Sequence, residues 1–78
     1  MENSIKNLKR AFKYAKDLGF NESDFYCIHV WDNEITMQGY RTMELINIIP
    51  KPYAIDTNGY INHKFDLNNS LQIGIILT

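Results

Sequence analysis

The feature that most constrains this fold is a hairpin pattern across residues 25–40. Two runs, Phe25–Trp31 and Glu34–Tyr40, alternate between apolar and other side chains and are separated by Asp32 and Asn33, residues typical of tight turns. Successive side chains of a strand point to opposite faces, so a two-residue turn brings two apolar sets together on one face. This face, which we predict to be core, carries Tyr26, Ile28, Val30, Ile35 and Met37.

The opposite face of the predicted hairpin combines large aromatic side chains with neutral polar ones. Its members are Phe25, Cys27, His29, Trp31, Glu34, Thr36, Gln38 and Tyr40. Tryptophan and tyrosine are enriched among the residues that dominate binding at protein interfaces. We therefore predict a binding surface made of Phe25, His29, Trp31, Glu34, Gln38, Tyr40 and Arg41. The alternative is that a second short helix and the C-terminus cover this face as a minor core.

Residues 4–18 have the periodicity of an amphipathic helix, with Gly19 placed to end it. Its apolar stripe consists of Ile5, Leu8, Ala11, Phe12, Ala15 and Leu18. The opposite side carries the basic residues Lys6, Lys9, Arg10, Lys13 and Lys16. This basic face is a secondary candidate for contact with an acidic partner or an anion, and a solvated helix surface is the alternative reading.

The rest of the chain predicts one ambiguous segment and three further strands. Residues 42–49 suit either a short helix between Thr42 and Pro50, which we favour, or a strand. A loop closed by Gly59 in the left-handed conformation pairs Ile55 with Ile61. An odd-length loop then pairs Leu67 with Leu71, so that the core residues of the last two strands face one another.

The predicted fold is therefore α+β, in the order α-β-β-(α)-β-β-β. We expect a single antiparallel sheet of about five strands, with the N-terminal helix packed on one face. In the favoured reading of residues 42–49, the fold also contains a short second helix. The chain has 78 residues, which makes residues 1–78 a single domain.

Few residue patterns in the sequence support catalysis, and we predict that the protein is not an enzyme. Cys27 and His29 lie two apart on one strand face, but a flat face offers no pocket for a substrate. His63 is expected on the core face as a hydrogen-bonded histidine. Neither a metal site nor a cofactor site is predicted, since the sequence contains no recognised metal-ligand spacing and no glycine-rich phosphate loop.

Charge and composition indicate which classes of partner and which cellular compartment to expect. The formal net charge is −1, and a faintly acidic domain makes nucleic acid an unfavoured partner. No apolar run reaches the length of a membrane span, and Cys27 is the only cysteine. These features predict a cytoplasmic protein. The abundance of asparagine and isoleucine is typical of AT-rich coding DNA, as in low-GC bacteria, their phages and mobile elements.

Three functional hypotheses follow from these patterns. The first is a non-enzymatic binding protein that uses its aromatic sheet face to dock on a protein partner or to form a homodimer, as an accessory or inhibitor protein of a phage or mobile element. The second is a dimer that sequesters a small anionic ligand, such as a nucleotide, between aromatic side chains and Arg41. The third is a small enzyme using Cys27 and His29.

Overall fold

A computed structural model of the chain describes the backbone of residues 2–78 and the side chains of residues 5–78. It contains two helices, a short 3₁₀ turn and a five-stranded sheet. The elements in chain order are α1 (Glu2–Leu18), the 3₁₀ turn (Glu22–Asp24), β1 (Phe25–Val30), β2 (Glu34–Gly39), α2 (Met43–Ile48), β3 (Ala54–Ile55), β4 (Ile61–Leu67) and β5 (Leu71–Leu77). This confirms the predicted α+β class and element order, and the ambiguous segment is a helix.

The sheet is mixed, and the prediction of a purely antiparallel sheet is wrong in this respect. Its strand order is β1-β2-β5-β4-β3, and the central pair, β2 and β5, is parallel. Parallel neighbours require a crossover connection. Here α2 and the β3–β4 hairpin form that crossover, so β5 returns along β2 in the same direction.

Within each hairpin the predicted register is confirmed. Ile28 faces Met37 and Val30 faces Ile35 across the first turn. Ile55 faces Ile61, and Leu67 faces Leu71. Gly59 has a φ of 82°, as the bulged loop requires. The apolar sets of all five strands therefore lie on one side of the sheet.

The sheet is covered on that side in the middle and left partly open at its edges. Ile35, Met37, Ile73 and Ile75 of the central strands are fully buried. On the flanks, by contrast, Val30 is 42% exposed and Phe65 is 37% exposed. α1, about 10 Å across, cannot by itself cover five strands spaced about 4.8 Å apart, and α2, with only 6 residues, adds little cover.

Polar contacts fix α1 over the sheet. Tyr14 stacks on Phe65 with ring centroids 4.5 Å apart, and its hydroxyl lies 2.6 Å from Nε2 of His63. Near the hairpin turns, the Arg10 guanidinium donates to the Ser70 hydroxyl at 2.9 Å and to Asn7 Oδ1 at 3.2 Å. The helix is thus attached both at its middle, through Arg10, and in its C-terminal half, through Tyr14.

Candidate functional site

Both helices lie on the same side of the sheet. Leu45 of α2 is buried in the main core, and Cβ at Gly39 would lie 3.5 Å from its Cδ1 and 3.6 Å from Leu77 Cδ2. Ile48 of α2 approaches Gly19, the residue after α1. The second helix therefore packs beside the first and does not cover the aromatic face, contrary to the alternative considered from the sequence.

The opposite side of the sheet, here called the open face, is not covered by any element of residues 2–78. Its side chains alternate with the core residues along each strand. They are Tyr26, Cys27, His29, Glu34, Thr36, Gln38, Asn62, Lys64, Asp66, Gln72, Ile76 and Thr78, with Gly74 in the middle. The surface is mainly polar, and its large aromatic rings lie towards its ends.

A β-bulge near the start of β1 changes which aromatic side chain reaches the open face. Phe25 faces Gly39, whereas Cys27 faces Gln38, so one extra residue is accommodated between them. Phe25 consequently packs on Phe20 in the core, with ring centroids 5.4 Å apart. Placing Phe25 on the binding face and Tyr26 in the core was wrong, because the bulge inverts the alternation at this point.

Tyr26 and Tyr40 form an aromatic pair at one end of the open face. Their ring centroids are 4.7 Å apart, at an interplanar angle of 32°. The Tyr26 hydroxyl lies 2.8 Å from Oγ1 of Thr78. Tyr26 is 50% exposed and Tyr40 is 65% exposed. The pair is held in place by its neighbours and yet offers most of its ring surface to a partner.

Arg41 follows this pair, but its guanidinium already has a partner. Nη1 donates to the Gly59 carbonyl, and the Arg41 amide donates to the Thr78 carbonyl at 3.0 Å. The first contact ties the β2–α2 connection to the β3–β4 loop at the far side of the sheet, and the second ties it to the end of the neighbouring strand β5. Arg41 is exposed and close to Tyr40, as predicted, with part of its hydrogen-bonding capacity used structurally.

Trp31 and Glu34 lie at the other end of the hairpin. Trp31 is 61% exposed, so it does not belong to the core. It lies five positions after Tyr26 along an extended chain, a distance of roughly 17 Å. His29 and Gln38 occupy the strand positions between the two ends. The predicted aromatic surface is therefore a strip with two aromatic ends and not a single cluster.

Cys27 and His29 are neighbours on this strip. The thiol sulfur lies 3.5 Å from Nε2 of His29, which confirms the predicted proximity. Among the side chains of residues 5–78, no carboxylate is hydrogen-bonded to the His29 ring. The arrangement supplies a nucleophile and a base without the third group that normally orients the base.

Four of the five basic residues predicted on the outer face of α1 are exposed, and Arg10 is the exception. Lys6, Lys9, Lys13 and Lys16 are exposed. Lys13 pairs with Asp17 at 3.1 Å across one helical turn. Arg10 belongs instead to the contact between α1 and the Ser70 turn. The four lysines remain a candidate contact surface, and Arg10 has a structural partner that helical periodicity alone could not indicate.

His63 is a hydrogen-bonded histidine on the core side, as predicted. Burial lowers its pKa from the ordinary value of 6.5 and raises the pKa of its partner Tyr14 from 10.0. Both shifts favour neutral rings. Sequence analysis missed Tyr14, whose position on the flank of the apolar stripe was the available signal.

The described residues contain neither a metal-binding cluster nor a membrane-spanning helix. No group of three or more histidine, cysteine, aspartate or glutamate side chains is placed to hold a metal ion. No helix among these residues is long and apolar enough to cross a membrane.

Comparison with protein-family models, with curated proteins and with solved structures found no match to this chain.

Proposed function

We propose that this protein is a non-enzymatic binding module that docks on a protein partner through its open face. The observation that carries the proposal is the placement of both helices on one side of the sheet. A sheet of five strands is thereby left with one whole face in contact with solvent, and the Tyr26–Tyr40 pair at its end is more than half exposed on average. Rigid exposed tyrosines are favoured at interface centres.

The shape of the surface favours a macromolecule over a small anionic ligand. A ligand-binding pocket would enclose most of its ligand. The best-formed concave sites among the described residues are lined by other parts of the chain, without Trp31, Tyr40 or Arg41. Arg41, the cation proposed to grip such a ligand, already donates to Gly59. An extended strip is better suited to a broad protein surface.

The finer biological role rests on composition. The abundance of asparagine and isoleucine supports an accessory or inhibitory protein of a phage or mobile element. The free thiol of Cys27 supports action in the reducing environment of the cytoplasm. Under this proposal the partner is a component of the host cell, and the open face is the surface that recognises it.

Site-specific photo-crosslinking in the native host tests the proposal. A photoreactive amino acid replaces Gln38, at the middle of the open face, or Lys6, which is exposed on α1 on the other side of the sheet. We expect a defined crosslinked partner from position 38 and none from position 6. Equal crosslinking from both positions, or crosslinking from position 6 alone, would contradict docking through the open face.

A further inference from the structure

The free edge of β1 is a second, independent contact surface. We propose that β1 accepts an extended segment of a partner protein as a sixth strand, and that this segment carries both acidic and apolar side chains. Strand addition of this kind takes its affinity from main-chain hydrogen bonds and its specificity from alternate side chains. Three features of the structure lead to this assignment: the backbone of the edge, the apolar groove beside it and the charge around that groove.

The backbone of β1 presents unpaired groups at the edge. The Trp31 amide donates to the Glu34 carbonyl at 2.8 Å. Because hydrogen-bonded and non-hydrogen-bonded positions alternate along an antiparallel pair, His29 also points its backbone groups towards β2. Ile28 and Val30 therefore point theirs outward. Within residues 2–78, these outward groups have no hydrogen-bond partner.

The two edges of the sheet differ in how they are protected. At the far edge, β3 has only two residues, and Pro50 and Pro52 precede it. Short strands and nearby prolines are common means of blocking edge pairing. In contrast, β1 has six residues, FYCIHV, with neither a charge nor a proline. Its bulge disturbs only the beginning, so the strand from Cys27 onwards remains a regular template.

An apolar groove lies beside the start of β1 on the core side. Its volume is about 630 Å³, and its apolar lining residues are Phe12, Ala15, Phe20 and Phe25, with polar and charged side chains around them. Further along the strand, Ile28 is half-buried and Val30 is 42% exposed. The apolar layer thus continues up to the edge and remains incompletely covered there. An added strand would cover this apolar layer with the alternate side chains that point to the core side of the sheet.

Charge around the groove indicates what kind of strand would fit. Lys9, Lys13 and Lys16 line it, against a single acidic lining residue, Glu22. Lys13 already pairs with Asp17, so Lys9 and Lys16 are the cations that an added strand would meet. Acidic side chains on an added strand would therefore meet complementary charge. A second copy of β1 would lack them, because the segment from Phe25 to Trp31 contains no acidic residue. The groove thus favours a partner segment of different sequence over self-pairing.

Selection from a displayed library of random twelve-residue peptides, with the full chain as the target, tests this assignment. We expect the enriched peptides to combine aspartate or glutamate with apolar residues in alternation. Amide hydrogen exchange with an enriched peptide should show new protection at Ile28 and Val30, whose amides face solvent in the free protein.

Matched variants separate the backbone and charge contributions. Val30→Pro removes an outward amide without breaking the pairing to β2, a position at which proline is tolerated. It should abolish peptide binding, whereas Val30→Ala should preserve it. Lys9→Glu with Lys16→Glu should weaken binding by at least about tenfold, while Lys6→Glu, outside the groove, should leave it unchanged.

Three outcomes would overturn the assignment. The first is enrichment of neutral or basic peptides only, or of none. The second is equal binding by the Val30→Pro and Val30→Ala variants. The third is protection of Ile28 and Val30 in the protein alone, through self-association. Tyr26→Ala with Tyr40→Ala should leave peptide binding intact, so a failure at this edge is distinguishable from a failure of docking through the open face.

Discussion

Gly39 occupies a position at which the fold leaves no room for a side chain. A Cβ at this position would lie 2.6 Å from the carbonyl oxygen of Asp24, which is backbone and cannot rotate away. Glycine within a strand often marks a place where another backbone approaches closely. Here the approaching backbone is the chain's own, at the point where the 3₁₀ turn leads into β1.

We therefore expect Gly39→Ala to lower the free energy of unfolding by about 1–3 kcal/mol, the usual cost of overpacking. Gly74→Ala is the matched control, because its Cβ would meet Thr36 Oγ1 at an ordinary 3.5 Å. That variant should change stability by less than about 1 kcal/mol. Urea denaturation measures both. Equal losses at the two positions would show that the contact with Asp24 does not limit the fold.

His63 should make stability dependent on pH. Its pKa is lowered in the folded protein by burial, so the unfolded chain binds the proton more tightly. The contribution of the neutral His63 ring to the free energy of unfolding should be complete above pH 6.5, the ordinary pKa of histidine. It should decrease as the pH falls below that pKa. Denaturation curves at pH 7.5 and about pH 5 measure this loss.

Replacement of each histidine in turn identifies the source of that dependence. His63→Gln should remove part of the loss between the two pH values, because glutamine does not titrate. His29→Gln, on the exposed strip, should leave the loss nearly unchanged. The assignment is wrong if His29→Gln has the larger effect.

Among the elements, the bulge in β1 predicts losses of stability of different size at two adjacent aromatic residues. Phe25→Ala should cost about 1–3 kcal/mol of unfolding free energy, since the ring packs on Phe20 but is only partly buried. Tyr26→Ala should cost less than about 1 kcal/mol, since Tyr26 is 50% exposed. Thermal or urea denaturation of both variants measures the two losses of unfolding free energy. The regular alternation read from the sequence requires the reverse order.

Most elements of this fold could be predicted because each depends on local pattern. Apolar periodicity identified α1, although the helix begins two residues earlier than expected, a normal uncertainty at helix ends. Thr42 caps α2, with Oγ1 accepting from the Leu45 amide, which resolved the ambiguous segment. The hairpin registers followed from matching apolar faces across short loops.

Other features had no local signal. The β1 bulge inserts one residue in a run that reads equally well as a regular strand, so Phe25 and Tyr26 were assigned to the wrong faces. The parallel pairing of β2 with β5 joins segments far apart in the chain. The alternation of apolar and polar residues places the same side chains in the core whether the two strands run parallel or antiparallel. Partners of single side chains, such as Arg10 with Ser70, depend on how the helix sits over the turns.

At the scale of the whole molecule, the placement of both helices on one side determines which surfaces remain available. The core is one-sided, with the fully buried residues of β2 and β5 at its centre. Three surfaces of different character remain: a polar strip with aromatic ends, an unpaired strand edge beside an apolar groove, and the exposed lysines of α1. We propose that the strip is a contact surface and contributes little to holding the fold together.

The most direct measurement of that claim combines Tyr26→Ala with Tyr40→Ala and follows both the crosslink from position 38 and the free energy of unfolding. We expect loss of the crosslinked partner, while the free energy of unfolding falls by no more than about 2 kcal/mol, the sum expected for two exposed side chains. Retention of the crosslink, or unfolding of the double variant, would contradict the claim, because the two rings would then be dispensable for binding or required for the fold.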